Sequence, residues 1–378
     1  TNRMQAFEII KGGSQIQYGP YKTSGAINMV STQIPGHFTG NITTTYGNFN
    51  TKKTYLNVGN SFKNFAYLVE YNNRNSDGFK EIDYRTKKTG FQGNDYLAKF
   101  KINSDFEAKV YQSLTFKVQY SQDKDNETYL GLTDADFKAN PYRRYLGSNE
   151  DNMDTEHFLL MATHLIKPLK NLSFTTKGYR NTFNRNWYKL DGVNLGTTTV
   201  SINSILENPT KYDNEYNAIT GFTNTSANAL RVKANNRSYE SQGIQTVGNY
   251  KFESKNFAHD IEFGIRYHED FEDRYQWVDG YAVNNKAMNR TNVGVPGTDA
   301  NRITNASAIA SHILYNMTYK KFTFSPGIRY EKIDLKSSDY GKADIERTGK
   351  NIKIEKNDVG VWIPGIGILY DFNKTYNL

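Results

Sequence analysis

No cysteine occurs among the 378 residues, which excludes a disulfide framework, a thiolate metal site and a cysteine nucleophile. No long apolar run occurs, and a transmembrane helix needs about 18 such residues or more. That excludes a spanning helix but not a membrane, because barrel strands alternate lipid-facing with lumen-facing residues. Catalytic signatures are missing as well: there is no G-x-S-x-G elbow, no P-loop and no H-E-x-x-H. The six histidines (His37, His157, His164, His259, His268, His312) show no metal-ligand spacing. No cofactor is expected. The net charge of +8 suits an anionic ligand or surface. A basic helix, a zinc-finger spacing and an RNP-type motif are all absent, so nucleic acid is not an expected partner.

What is present is an unusual mixture. Aromatic residues make up 14%, with 28 Tyr and 22 Phe, yet the mean hydropathy is −0.73. A polar chain this rich in Tyr and Phe suits strands whose apolar residues alternate with polar ones. Phe65, Tyr67, Val69 and Tyr71 fall on one face of such a strand, with Ala66, Leu68, Glu70 and Asn72 on the other. The same period recurs through Tyr96–Ile102, Leu114–Tyr120, Ile261–Tyr267 and Phe322–Tyr330.

About twelve strands are expected, and their joins alternate short and long. Tight turns fall at 61–64, 167–170, 254–256 and 319–321, and a last one is expected to begin at 372–375. Long polar loops are expected at 74–92, 122–154, 187–237, 276–303 and 338–357. Short turns on one side and long loops on the other are the pattern of a transmembrane antiparallel β-barrel. A large soluble sandwich or a solenoid is the rival architecture.

Ahead of the strands lies a compact lead-in: Phe7-Glu8-Ile9-Ile10-Lys11-Gly12, then a Tyr18-Gly19-Pro20 turn, then Gly25-Ala26-Ile27-Asn28-Met29-Val30-Ser31. These three pieces in order resemble the C-terminal end of the plug domain in TonB-dependent outer-membrane receptors. Within that family the chain is most similar to ferric-dicitrate receptors. The likeness lies in Gly131 to Phe137 followed by Arg143 and Arg144, in Pro326 to Glu331, and in Ile363 to Gly367.

The resemblance implies residues 1–35 as the end of a plug and 36–378 as the N-terminal half of a barrel of 22 strands. It also implies that the TonB box, most of the plug and the remaining strands lie outside this sequence. Implied partners are TonB with its inner-membrane energising complex, an anionic iron chelate, and the lipid and lipopolysaccharide of a Gram-negative outer membrane. Ferric iron would enter only as part of the transported chelate. A monomeric transporter, not an enzyme, is expected. Other cargoes (another siderophore, a cobalamin, a glycan) and a non-transporting adhesion barrel stay open. A barrel-embedded hydrolase would need a Ser or Asp with a His neighbour, and none is evident.

An anionic chelate calls for arginine, whose planar fork binds carboxylate in a bidentate manner. The expected loops supply Arg143, Arg144, Arg185, Arg231, Arg237, Arg290 and Arg302. Of these, Arg185 matches a ligand-binding arginine of the family's pattern. Glu8 and Lys11 are expected to pair with the barrel wall, and the acidic residues at 269–273 to be solvated.

Overall fold

The computed structural model describes residues 4–19 and 25–372. The expected turn residues Pro20 and Asn373 to Thr375 lie outside them. The lead-in is a hairpin, β1 (Met4–Ile10) against β2 (Ala26–Ser31), joined in part by a 3-10 helix at Gly12–Tyr18. Among the described residues Glu8 makes no hydrogen bond or ion pair with the wall. It accepts a hydrogen bond from Asn28 at 2.6 Å across the hairpin, its register neighbour.

One antiparallel meander follows. Its first half contains β3 (Thr39–Gly47), β4 (Thr51–Ser61) and β5 (Phe65–Ser76). After the two-residue β6 (Glu81–Ile82) come β7 (Phe91–Asn103) and β8 (Tyr111–Asp125). A loop with α1 (Asp134–Ala139) and β9 (Arg143–Arg144) leads to β10 (Asn152–Leu169) and β11 (Leu172–Val193). A second insertion holds β12 (Val200–Ser201), α2 (Ile202–Glu207) and α3 (Asp213–Thr220). Then come β13 (Leu230–Ser254), β14 (Phe257–Asn284), the short β15 (Ala287–Asn292), and β16 (Ala300–Tyr319). The path closes with β17 (Phe322–Asp339) and β18 (Lys353–Tyr370). Twelve long strands lie in sequence order from β3 to β18, with β12 and β15 pairing alongside.

The strand count and the short turns match the sequence reading, but two of the expected loops do not. The two ends of 187–237 and much of 276–303 are strand: β11 runs on to Val193, β13 begins at Leu230, and β14 reaches Asn284. Strand β14 has 28 residues. About 9–11 residues suffice to span a bilayer, so most of β14 stands clear of any apolar band.

The sheet curls around the lead-in. Lys99 on β7 donates to the carbonyl oxygens of Ser31 (3.4 Å) and Thr32, and Ser61 on β4 donates to Pro35 O at 2.6 Å. From the other end of the sheet, Arg329 on β17 donates to Ile16 O at 3.4 Å. The face that touches the lead-in is therefore the inner one. Leu68, Glu70, Lys99 and Arg329 are buried on it.

The outer face is apolar and open. Val69, Phe100, Ile265, Ile313, Trp362 and Ile366 are all exposed there, Trp362 by 65%. Aromatic pairs mark the short-turn end, among them Phe257–Tyr319 (ring centroids 4.8 Å) and Phe322–Tyr370 (4.5 Å). A second aromatic rung, Tyr71–Tyr96–Tyr120, lies six residues above Phe65, about 20 Å along the strand. An apolar belt between two aromatic girdles is how a barrel strand meets a bilayer.

A compact apolar core occurs in the long-loop cap. There Leu130, Leu146, Leu190, Ile205, Ile219 and Leu230 are fully buried together.

Candidate anion-binding site

Register brings together residues far apart in sequence. Arg185 on β11 pairs with Arg237 on β13, Arg237 with Arg274 on β14, and Arg274 with Arg302 on β16. Strands in a sheet are about 4.8 Å apart, so the four guanidinium-bearing positions span ~14 Å. All four lie on the inner face, since they keep the two-residue period of Glu262 and Arg266 on β14. Asn72, on the same face as Arg74 of this rung, is one residue above Tyr71. The rung therefore sits three residues, about 10 Å, beyond the upper aromatic rung on the long-loop side.

The arginines share little negative charge. Arg237 Nη1 donates to Glu272 Oε1 at 3.2 Å, and its Nε to Asn235 Oδ1 at 3.0 Å. Arg274 Nε lies 3.0 Å from the same Glu272 oxygen, but off the N–H direction, so that contact is Coulombic and not a hydrogen bond. No carboxylate lies in ion-pair range of Arg185 or Arg302 among the described residues. Asp339 stands across from Arg302 in register but accepts instead from Gly341 N at 2.8 Å.

Nine buried side-chain polar atoms lack a hydrogen-bond partner among the described residues. Four of them are N–H donors at this site: Nε of Arg185, Arg274 and Arg302, and Nε1 of Trp187. Leaving a buried donor unpaired costs about 1–3 kcal/mol each. Four together on one face make a surface ready to receive acceptor oxygens. Above Arg185, Lys189 rests on two aromatic rings, 3.3 Å from the Tyr129 centroid and 3.9 Å from that of Trp187. The loop carrying Tyr129 is fixed by Asp151, which accepts from Tyr129 N and Leu190 N, both at 3.0 Å.

The other candidate arginines lie elsewhere. Arg143 holds Asp83 through both carboxylate oxygens at 3.0 Å and reaches Asp136 at 2.8 Å. It thereby staples β9 to β6 inside the cap. Arg144 donates to the carbonyl oxygens of Pro141 and Arg143. Arg231 lies six residues above Arg237, opposite Gly280, and Arg290 is 3.6 Å from Asp279. Arg274 was not among the sequence candidates. Its signal was the continued alternation of Arg266, His268, Asp270 and Glu272 with Ile265, Tyr267 and Phe271. The acidic residues nearby are not merely solvated. Asp273 is held by Arg347 at 2.5 Å, and Glu269 accepts from Gln242 at 2.8 Å.

Solved structures that share this fold include the following three. The ferric citrate transporter FecA, unliganded, superposes with a TM-score of 0.71 at 17% identity, covering 99% of this chain and 48% of its own. The siderophore receptor PiuA from Acinetobacter baumannii gives 0.73 at 12% identity, covering 98% and 52%. The ferric-catecholate import receptor Fiu from E. coli K12, open form, gives 0.69 at 13% identity, covering 98% and 58%. This chain thus spans about half the length of the receptors it matches. No protein-family model matches it.

Proposed function

We propose that this chain forms the ligand-binding wall of a Gram-negative outer-membrane receptor that imports an anionic ferric siderophore, with ferric dicitrate as its cargo. The observation that carries this reading is the inner rung of four arginines, in which the Nε of Arg185, Arg274 and Arg302 makes no hydrogen bond among the described residues and only that of Arg274 has a carboxylate, Glu272, beside it. Carboxylate oxygens of a chelate would take those N–H groups in charge-assisted, bidentate bonds. Arg185, Arg237, Arg274 and Arg302 hold the ligand, and Trp187 Nε1 supplies a further donor. Iron travels as part of the substrate and needs no protein ligand.

Residues 1–35 act as the end of a plug and 36–378 as barrel wall. Lys99 and Arg329 fasten that plug segment to the wall through its backbone carbonyls. TonB supplies the energy that loosens it. The receptor works as a monomer, its outer belt among lipid and lipopolysaccharide. The fold shared with siderophore receptors and the two aromatic girdles support this placement. The test is uptake of iron-55 as ferric citrate by cells carrying the full-length receptor. Uptake abolished by Arg274→Ala with Arg302→Ala supports the reading, and undiminished uptake refutes it.

A further inference from the structure

Next to the arginine rung, on the same inner face, lies a pocket of about 640 Å³ with a different chemistry. That volume is within the range of small-molecule sites. Its central rung runs Asn72–Asp95–Ser121–His157–Phe183 in register across β5, β7, β8, β10 and β11.

Among the described residues the pocket holds no unpaired arginine or lysine. Arg74 is closed onto Asp123 at 2.5 Å, and Gly93 between them in register makes the room. A Cβ at Gly93 would fall 2.1 Å from Asp123 Oδ1. An anion gains nothing from this pocket. An apolar guest would leave its polar groups dry and unpaired.

What it offers is donors and acceptors side by side. Ser121 is only 7% exposed, and its Oγ is buried with no partner among the described residues. His157 is held between two amides: Nε2 bonds Asn181 Oδ1, and Nδ1 faces Gln119 Nε2 at 3.5 Å. That leaves the Asn181 amide N–H groups and Gln119 Oε1, on two residues that line the pocket, to bond a guest. Asn72 donates to Asp95 at 2.8 Å through its amide nitrogen, and its side-chain oxygen remains an acceptor. Phe183, edge-on to His157 with centroids 6.3 Å apart, adds an aromatic surface.

Hydroxyl groups donate and accept at once, and carbon-bound hydrogens of a sugar ring pack on an aromatic surface. We infer that this pocket binds a neutral polyhydroxylated ligand of monosaccharide size. The site does not depend on the arginine rung, and its test does not depend on ferric citrate.

The test is saturation-transfer NMR with N-acetylglucosamine as probe. The full-length protein is held in amine-oxide micelles, because a maltoside detergent would itself compete. Transfer to the sugar ring protons is expected, with about tenfold weaker apparent affinity in Asn181→Leu, equal to ~1.4 kcal/mol. Ser121→Ala should weaken it in the same direction, and it decides the matter if Asn181→Leu fails to fold by circular dichroism. Arg302→Ala should leave it unchanged. The inference is overturned by absent transfer at millimolar sugar, by transfer that survives the pocket substitutions, or by transfer that Arg302→Ala abolishes.

Discussion

Arg274 on β14 stands directly across from Arg302 on β16, and the Nε of each is buried without a hydrogen-bond partner among the described residues. Like charges directly opposite in a sheet destabilise it. A fold tolerates such a pair where a ligand of opposite charge completes it. The expected signature is a trade of stability against binding. Arg302→Gln should raise the unfolding free energy by roughly 0.5 kcal/mol in urea titration. The same change should weaken ferric citrate binding about tenfold, through loss of one charge-assisted bond.

Arg143 should behave in the opposite way. Its guanidinium satisfies Asp83 and Asp136, and Asp136 also accepts from the Tyr145 hydroxyl at 2.6 Å. Arg143→Ala leaves two half-buried carboxylates short of a partner. Hydrogen exchange across residues 126–151 should show the cap destabilised by about 1–3 kcal/mol. Chelate affinity should change by less than about threefold.

The cap should also respond to pH through Asp151. Burial pushes this carboxyl up from 3.8 to about 7, although the backbone N–H groups of Leu190 and Tyr129 pull it back. The unfolded chain releases its proton near pH 4, while the folded one keeps it until about pH 7. The part of cap stability that Asp151 contributes should therefore be complete below about pH 4 and fall as pH rises to 7. Hydrogen exchange at residues 129 and 190, corrected for intrinsic rates, reads this directly. Asp151→Ala should flatten the pH profile and expose both amides at every pH.

The outer belt makes its own prediction. Ile265 is exposed on the apolar face between the girdles. Ile265→Lys should cost about 2–4 kcal/mol on folding into phosphatidylcholine vesicles, the penalty for a charge near the bilayer midplane. Ser173→Lys, on the inner face beside Asn249 and Glu262 in register, should cost much less. Equal costs would contradict the assignment of faces.

Much of this architecture was legible in the sequence. Within the apolar belt one face of each strand meets lipid, so period-two patterning is strict there, as from Phe65 to Tyr71. The turns at Lys255 and Lys320, both with positive φ, were equally plain. The strand ends were not. Beyond the belt neither face needs to be apolar, so the upper parts of β11, β13 and β14 read as loop although their ladders continue. The site was half legible for the same reason. Arg185, Arg237 and Arg302 were candidates by residue type, but they meet only through register across four strands, which no local pattern encodes. Arg274 was passed over because the candidates were drawn from the expected loops, and it falls just before the one expected at 276–303.

The most direct measurement uses Trp187, two residues above Arg185 on the same face, whose Nε1 has no hydrogen-bond partner among the described residues. Replacing Trp277 and Trp362 with Phe leaves Trp187 as the one indole among these 378 residues. Titration with ferric citrate should change its fluorescence with saturation at micromolar chelate. Arg274→Ala should shift the midpoint upward by at least about tenfold. No change at millimolar ferric citrate, or a midpoint that ignores the loss of Arg274, would contradict the arginine rung as the chelate site.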